Sequence, residues 1–172
     1  MSTDEIVGRF RVLLPSADWK AFNGNYAHLV ITGGEPLLGW QRVYPELLDH
    51  EGMHNLADLT FETNGTQELS EDFKQYLREW RGDPEFSERE ITFSVSAKLS
   101  ASGESWSDAI CPNTVLSYQD YGTAYLKFVV DSERHFDEVD QAVSEYRAVG
   151  FTGKVYVMPQ GGVVTPYAEN RV

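Results

Sequence analysis

Two polar segments of this sequence could do chemistry, and each lies at the end of a run of apolar residues. Thr32–Pro36 contains two glycines that can expose backbone N–H groups, and Glu35 can accept a hydrogen bond from an ammonium group. In the second segment, Thr92–Lys98, the side chains of Ser96 and Lys98 are donors that could hold a carboxylate or ribose hydroxyls. The simpler alternatives are a tight turn for the first segment and a solvated lysine for the second.

A third segment, His50–His54, matches the H-E-x-x-H pattern of zinc peptidases. On a continuous helix both imidazoles would lie on one face, and Glu51 would activate a metal-bound water. Against this, Gly52 destabilises a helix interior by about 1 kcal/mol relative to alanine, and the apolar stripe stops at Leu48. The pattern favours a solvated helix end, so a zinc peptidase is the weakest of the functional alternatives.

The chain has a single cysteine, Cys111, which excludes an internal disulfide and any site that needs several thiolates from this chain. The 172 residues include 14 basic and 27 acidic side chains, a formal net charge of −13. This balance argues against a nucleic-acid partner, because binding to phosphates depends on Lys and Arg. No apolar run approaches the ~20 residues that span a bilayer, so we expect no membrane partner and a cytoplasmic location.

Short apolar runs alternate with amphipathic segments, which predicts βαβ units, an α/β fold and a mostly parallel sheet. Strands are expected at His28–Thr32, Leu59–Thr63, Ile91–Ser96, Tyr125–Val130 and Val155–Met158. In such sheets the loops after the carboxyl ends of the strands hold the ligands. Lys127 lies inside the fourth predicted strand, where it either reaches solvent at a sheet edge or points to the ligand side.

The helical periodicity predicts four helices, and residues 99–118 are expected to form a long loop. The helices are predicted over Ser2–Leu14, Trp40–Leu48, Ser70–Gly82 and His135–Val149. The first is expected to bury Ile6, Phe10, Leu13 and Leu14, and the last Phe136, Val139, Ala142, Val143 and Tyr146.

Taken in order along the chain, these loops resemble those of a radical S-adenosylmethionine (SAM) enzyme. Val30–Leu37 is similar to the strand-and-GGE segment of that superfamily, which holds the SAM amino group. Within the superfamily, three further segments resemble the 7-carboxy-7-deazaguanine synthase family: Phe61–Thr66, Ser94–Leu99 and Val155–Gly161. That family usually has S-P-K at the second of these segments, so Ala97 is a departure from its pattern.

The resemblance implies a partial (β/α) barrel of the radical SAM type, with residues 1–172 as one incomplete core domain. The residues that it implies for SAM binding are Gly33, Gly34, Glu35, Ser96, Ala97, Lys98, Met158, Pro159, Gln160 and Gly161. Thr32 and Glu62 match positions that would contact the substrate, and no catalytic residue is assigned.

The family converts 6-carboxy-5,6,7,8-tetrahydropterin into 7-carboxy-7-deazaguanine with loss of ammonia, on the route to queuosine and other deazapurines. The resemblance therefore implies a pterin substrate and three cofactors, namely SAM, a [4Fe–4S] cluster and Mg²⁺, and a homodimer is a further expectation. The family places three cluster cysteines before the GGEP segment, whereas this chain has only Cys111. We expect that the first strand, the cluster loop and a C-terminal segment are missing and that the chain alone is inactive.

Two other functions remain open. The chain could belong to another radical SAM enzyme, such as an activating enzyme, because GGEP occurs across the superfamily. It could also be a non-enzymatic binding module that keeps the fold for protein contacts.

Overall fold

A five-stranded sheet forms the centre of the computed structural model, which describes residues 1–84 and 89–160. The strands are β1 His28–Ile31, β2 Asp58–Thr63, β3 Glu90–Val95, β4 Thr123–Val130 and β5 Val155–Pro159. Every neighbouring pair is parallel, and the strands lie across the sheet in the order in which they occur in the chain. The predicted α/β class and parallel strands are confirmed, and each strand lies close to its predicted position.

Helices connect the strands and precede the first one. They are α1 Thr3–Leu13, α2 Tyr44–Leu48, α3 Glu71–Gly82, α4 Trp106–Ala109, α5 Pro112–Tyr118 and α6 Arg134–Ala148, with 3₁₀ turns at Glu51–Met53 and Ser100–Ser102. Two of them begin at serine caps, since the Ser2 side chain accepts from Glu5 N and the Ser70 side chain accepts from Phe73 N. In the described residues, no helix has both the length and the apolar character needed to cross a membrane.

The hydrophobic core lies on one face of the sheet. Because each strand adds to the same side of the one before it, right-handed crossovers place the connecting helices on a single face. Phe61 of β2 packs against Tyr44 of α2 and Phe73 of α3, with ring centroids 5.4 and 5.9 Å apart. Phe93 of β3 stacks on Tyr118 of α5 at 4.7 Å. The helices thus bury alternate residues of the strands.

The opposite face, which we call the open face, carries Thr60, Glu62, Ser94, Tyr125 and Lys127. In the strand register Glu62 lies beside Ser94, and Ser94 lies beside Tyr125. Parallel neighbours in register point to the same side of a sheet, so polar side chains from β2, β3 and β4 are brought together there.

The prediction of a long loop over residues 99–118 is wrong. This segment contains the Ser100–Ser102 turn, α4 and α5, and the side chains of Val115 and Tyr118 are fully buried. Helix α5 has only seven residues, too few to show a repeating apolar stripe. The available signal was Pro112, since proline favours the first turn of a helix.

Two predicted helix faces also need correction. In α1 the fully buried residue is Val7 and Leu13 is 79% exposed, whereas Phe10 and Leu14 are partly buried against the core, as predicted. In α6 Phe136 is 50% exposed, and the inward position belongs to His135. His135 is four residues before Val139 and seven before Ala142, so it lies at the centre of the buried stripe, whereas Phe136 lies at its margin.

The helix predicted from Trp40 is also shorter than expected. It begins at Tyr44, and Trp40 and Val43 are exposed. Pro45 explains this start. A proline disfavours the helical conformation of the residue before it and is tolerated in a helix only in the first turn, so the helix cannot extend far toward Trp40.

Candidate functional site

The loop after β1 depends on two glycines in the left-handed region. Gly33 has φ of +98° and Gly34 has φ of +58°, conformations that a residue with a Cβ adopts only at a cost. The left-handed conformation of these two glycines turns the chain, so that Glu35 reaches the end of β2. The sequence prediction that this segment ends its strand in a glycine turn is therefore confirmed.

Glu35 joins the loops that follow β1 and β2. Its Oε1 accepts from Thr63 Oγ1 at 2.7 Å and from Leu37 N at 3.0 Å, and its Oε2 accepts from Asn64 N at 2.7 Å. A carboxylate has about four acceptor positions, and three are used within the chain. The role of Glu35 in holding the SAM amino group stays a prediction.

Thr32 and Glu62, the two residues predicted to contact substrate, are brought together on the open face. Thr32 Oγ1 donates to Glu62 Oε2 at 3.2 Å, and Lys127 Nζ donates to Glu62 Oε1 at 3.3 Å. Lys127 belongs to β4, which is not an edge strand. Of the two orientations that the sequence left open, the structure excludes the one at a sheet edge, and Lys127 points over the open face.

The ion pair between Glu62 and Lys127 crosses over β3 next to Ser94, which lies beside Glu62 in the register. Ser94 itself is 0% exposed, and its Oγ has no hydrogen-bond partner among residues 1–84 and 89–160. A buried hydroxyl without a partner is unusual in a folded protein. Ser94 was missed from the sequence, although the alternation Thr92, Ser94, Ser96 places it on one face.

A small pocket lies at the carboxyl ends of β3, β4 and β5. Ser96, Ala97, Lys98, Val129 and Gln160 are among the residues that line it, and its volume is about 260 Å³. Sites for drug-sized ligands usually measure about 300–1,000 Å³, so the pocket would hold only part of a molecule such as SAM. Four of the residues predicted for SAM binding meet here.

The other predicted SAM-binding residues are arranged differently. Met158 lies opposite Val129 in the register and is 46% exposed, and Pro159 ends β5. Gly33 and Gly34 do not line the pocket. Gly161 lies outside the described residues.

The residues present do not fit a [4Fe–4S] cluster. The single cysteine, Cys111, precedes α5 on the helical side of the sheet, away from the open face. Burial, with a smaller contribution from Asp108, raises the pKa of the Cys111 thiol, which disfavours the thiolate that a metal requires. Across the described part of the chain, no three His, Cys, Asp or Glu side chains form a metal-binding group.

The zinc-peptidase alternative loses the helix on which it depends. Helix α2 ends at Leu48, and Glu51–Met53 is a 3₁₀ turn. His50 is engaged locally, because its Nδ1 accepts from Gly52 N and its Nε2 lies 3.0 Å from Asp4 Oδ1. The contact between His50 and Asp4 therefore links this turn to α1.

Comparison with known proteins identifies no relative. No protein-family model matches the chain, and neither a curated protein nor a solved structure matches it.

Proposed function

We propose that the chain binds SAM and a pterin at the carboxyl end of its sheet, as the cofactor- and substrate-binding part of a 7-carboxy-7-deazaguanine synthase. The observation that carries the proposal is the shared pocket of Ser96, Ala97, Lys98 and Gln160. The resemblance assigns all four to SAM, and they come from segments separated by some sixty residues of sequence. The hydrogen bond between Thr32 and Glu62 supports the substrate assignment in the same way.

The strand order supports a partial (β/α) barrel. In a barrel, each parallel strand pairs with the next one along the chain and the helices form one outer layer. In a doubly wound sheet the order reverses at a switch point and helices cover both faces. The order β1-β2-β3-β4-β5, with the core on one face, follows the first arrangement.

The proposal concerns binding alone, because the described residues do not fit the iron–sulfur cluster. When bound, SAM supplies the radical chemistry of the superfamily. Lys98 and Ser96 would donate hydrogen bonds to its polar groups, and the side chains of Val129 and Met158 would offer apolar surface to its adenosine. The proposed setting is the cytoplasm.

Titration of the full chain with SAM in a calorimeter tests the proposal. We expect binding by the wild type and a loss of roughly tenfold or more in affinity for Lys98→Ala, since a hydrogen bond from a charged group contributes about 1.5–3 kcal/mol. Lys154→Ala is the matched control, because Lys154 is an exposed lysine at the amino end of β5, and it should bind as the wild type does.

Absence of SAM binding by the wild type would overturn the proposal and favour the non-enzymatic binding module. Equal losses for Lys98→Ala and Lys154→Ala would show that the pocket is not the binding site.

A further inference from the structure

We propose that Lys127, Ser94 and Glu62 form a recognition site for a ligand that carries a carboxylate beside N–H groups. The ligand's carboxylate would replace Glu62 as the partner of Lys127 and accept from the Ser94 hydroxyl. Its N–H groups would donate to the released Glu62 carboxylate. This inference rests on the proposed function, in which the ligand is a carboxylated pterin, and it assigns binding roles to Lys127 and Ser94.

The first support is the position of Lys127. Its ammonium reaches across β3 to Glu62 at 3.3 Å, with side-chain exposures of 21% for Lys127 and 39% for Glu62. An ion pair with this exposure contributes little to stability, so an exchange of partners is inexpensive. A partly desolvated ammonium still needs a negative partner, and a ligand carboxylate provides one.

The second support is the Ser94 hydroxyl. Ser94 is fully buried between its register neighbours Glu62 and Tyr125, and its Oγ makes no hydrogen bond within the described ranges of the chain. A buried polar group without a partner is destabilising. When the ion pair between Glu62 and Lys127 opens, a ligand oxygen that accepts from this hydroxyl would recover that loss, on the same face as the Lys127 ammonium.

The third support is the set of groups around Glu62. Thr32 Oγ1 donates to Glu62 Oε2 at 3.2 Å. Once Lys127 takes another partner, Glu62 Oε1 is available to accept from an N–H group of the ligand. Tyr125 and Tyr156 pack edge to face beside this position, with ring centroids 5.2 Å apart. The two rings are nearly perpendicular and offer apolar surface beside the strands. Donors, an acceptor and an aromatic surface together suit a planar heterocycle with a carboxylate.

The experiment compares two ligands that differ only in the carboxylate. Binding of 6-carboxy-5,6,7,8-tetrahydropterin and of 5,6,7,8-tetrahydropterin is measured without oxygen, by calorimetry, on the full-length wild type and variants. We expect the wild type to prefer the carboxylated ligand by about tenfold or more, and Lys127→Met to remove this preference while changing affinity for the other ligand little. Lys154→Met is the matched control and should keep the preference.

Two further variants separate recognition from folding. Lys127→Arg retains the positive charge and should recover most of the preference. Ser94→Ala removes a hydroxyl that makes no hydrogen bond in the chain, so the protein should fold normally and lose a few-fold in affinity for the carboxylated ligand alone.

Equal binding of the two pterins by the wild type would overturn this site, as would an equal loss for both in Lys127→Met. If SAM still binds in either case, the proposed function stands without this recognition site. SAM binding without binding of either pterin overturns the site and favours another radical SAM substrate. If the wild type binds neither SAM nor either pterin, both proposals are overturned.

Discussion

The carboxylates of Glu35 and Glu62, at the edge where the strands end, have different roles. Glu35 accepts three hydrogen bonds from Thr63, Leu37 and Asn64, and it fixes the loops after β1 and β2 to each other. Glu62 instead has a hydroxyl and an ammonium as partners on the open face. The first arrangement stabilises the edge of the sheet, and the second leaves a group whose partners a ligand could replace.

Glu35→Gln is expected to lower the free energy of unfolding by about 1–3 kcal/mol. Both carboxylate oxygens of Glu35 accept hydrogen bonds. In glutamine an NH₂ group, which cannot accept, replaces one of these oxygens, so at least one hydrogen bond is lost. Urea unfolding followed by circular dichroism measures the change. Glu104→Gln, in the exposed turn after Ser100–Ser102, is the control and should stay within about 0.5 kcal/mol of the wild type. Unchanged stability of Glu35→Gln would contradict the bridging role.

The residues of the site were predictable to different degrees. Thr32 and Glu62 could be proposed from the sequence because they match substrate-contacting positions of the family that the chain resembles. The sequence could not predict that Ser94 and Lys127 lie close to them, because this proximity depends on the register of three strands and on the strand order. A single sequence fixes neither, whereas strand positions follow from local alternation of side chains.

At the scale of elements, the short helix α5 closes the core beneath the loop after β2. Gly65 has φ of +82°, and a Cβ there would lie 2.6 Å from Val95 Cγ1 and 2.8 Å from Val115 Cγ2. Val115 belongs to α5, so loop, strand and helix meet at this glycine. The sequence predicted the strand that ends at Thr63 but not the helix, since seven residues do not reveal a period.

Gly65→Ala should destabilise the protein by about 2–5 kcal/mol, from the left-handed backbone and the overpacking together. Gly103→Ala is a matched control, because Gly103 has φ of +80° and open space around it. It should cost only the backbone share, about 1–2 kcal/mol. Chemical unfolding of both variants measures the difference. Equal losses would mean that α5 does not pack against the loop.

At the scale of the whole molecule, the core is rich in buried tyrosines, all on the helical side of the sheet. Burial and the Glu35 carboxylate raise the pKa of Tyr44 to about 12. Burial also raises the pKa of Tyr76, Tyr118 and Tyr146. Their phenols stay neutral in the folded chain at a pH where those of the unfolded chain ionise.

Stability should therefore fall steeply above pH 10. In the unfolded chain a tyrosine ionises near pH 10, so the stabilisation is complete below that pH and is lost as the pH rises toward the folded values. Urea unfolding at pH 8, 10 and 11 should show this decline. Tyr44→Phe should reduce it by up to about 1.4 kcal/mol per pH unit.

The comparison at pH 8 serves as the control for this variant, because there the two proteins differ only by the hydrogen bond from Tyr44 to Pro36 O. A wild-type stability that is constant from pH 8 to 11 would contradict the raised values.

The sequential strand order also has a consequence for how the chain folds. Each strand pairs with the one that follows it along the chain, so every pairing closes a single βα connection and none waits for a distant segment. Short closures cost little chain entropy, and folding rates rise as contacting residues come closer in sequence. The sheet can therefore grow by one strand and helix at a time, in either direction from its centre.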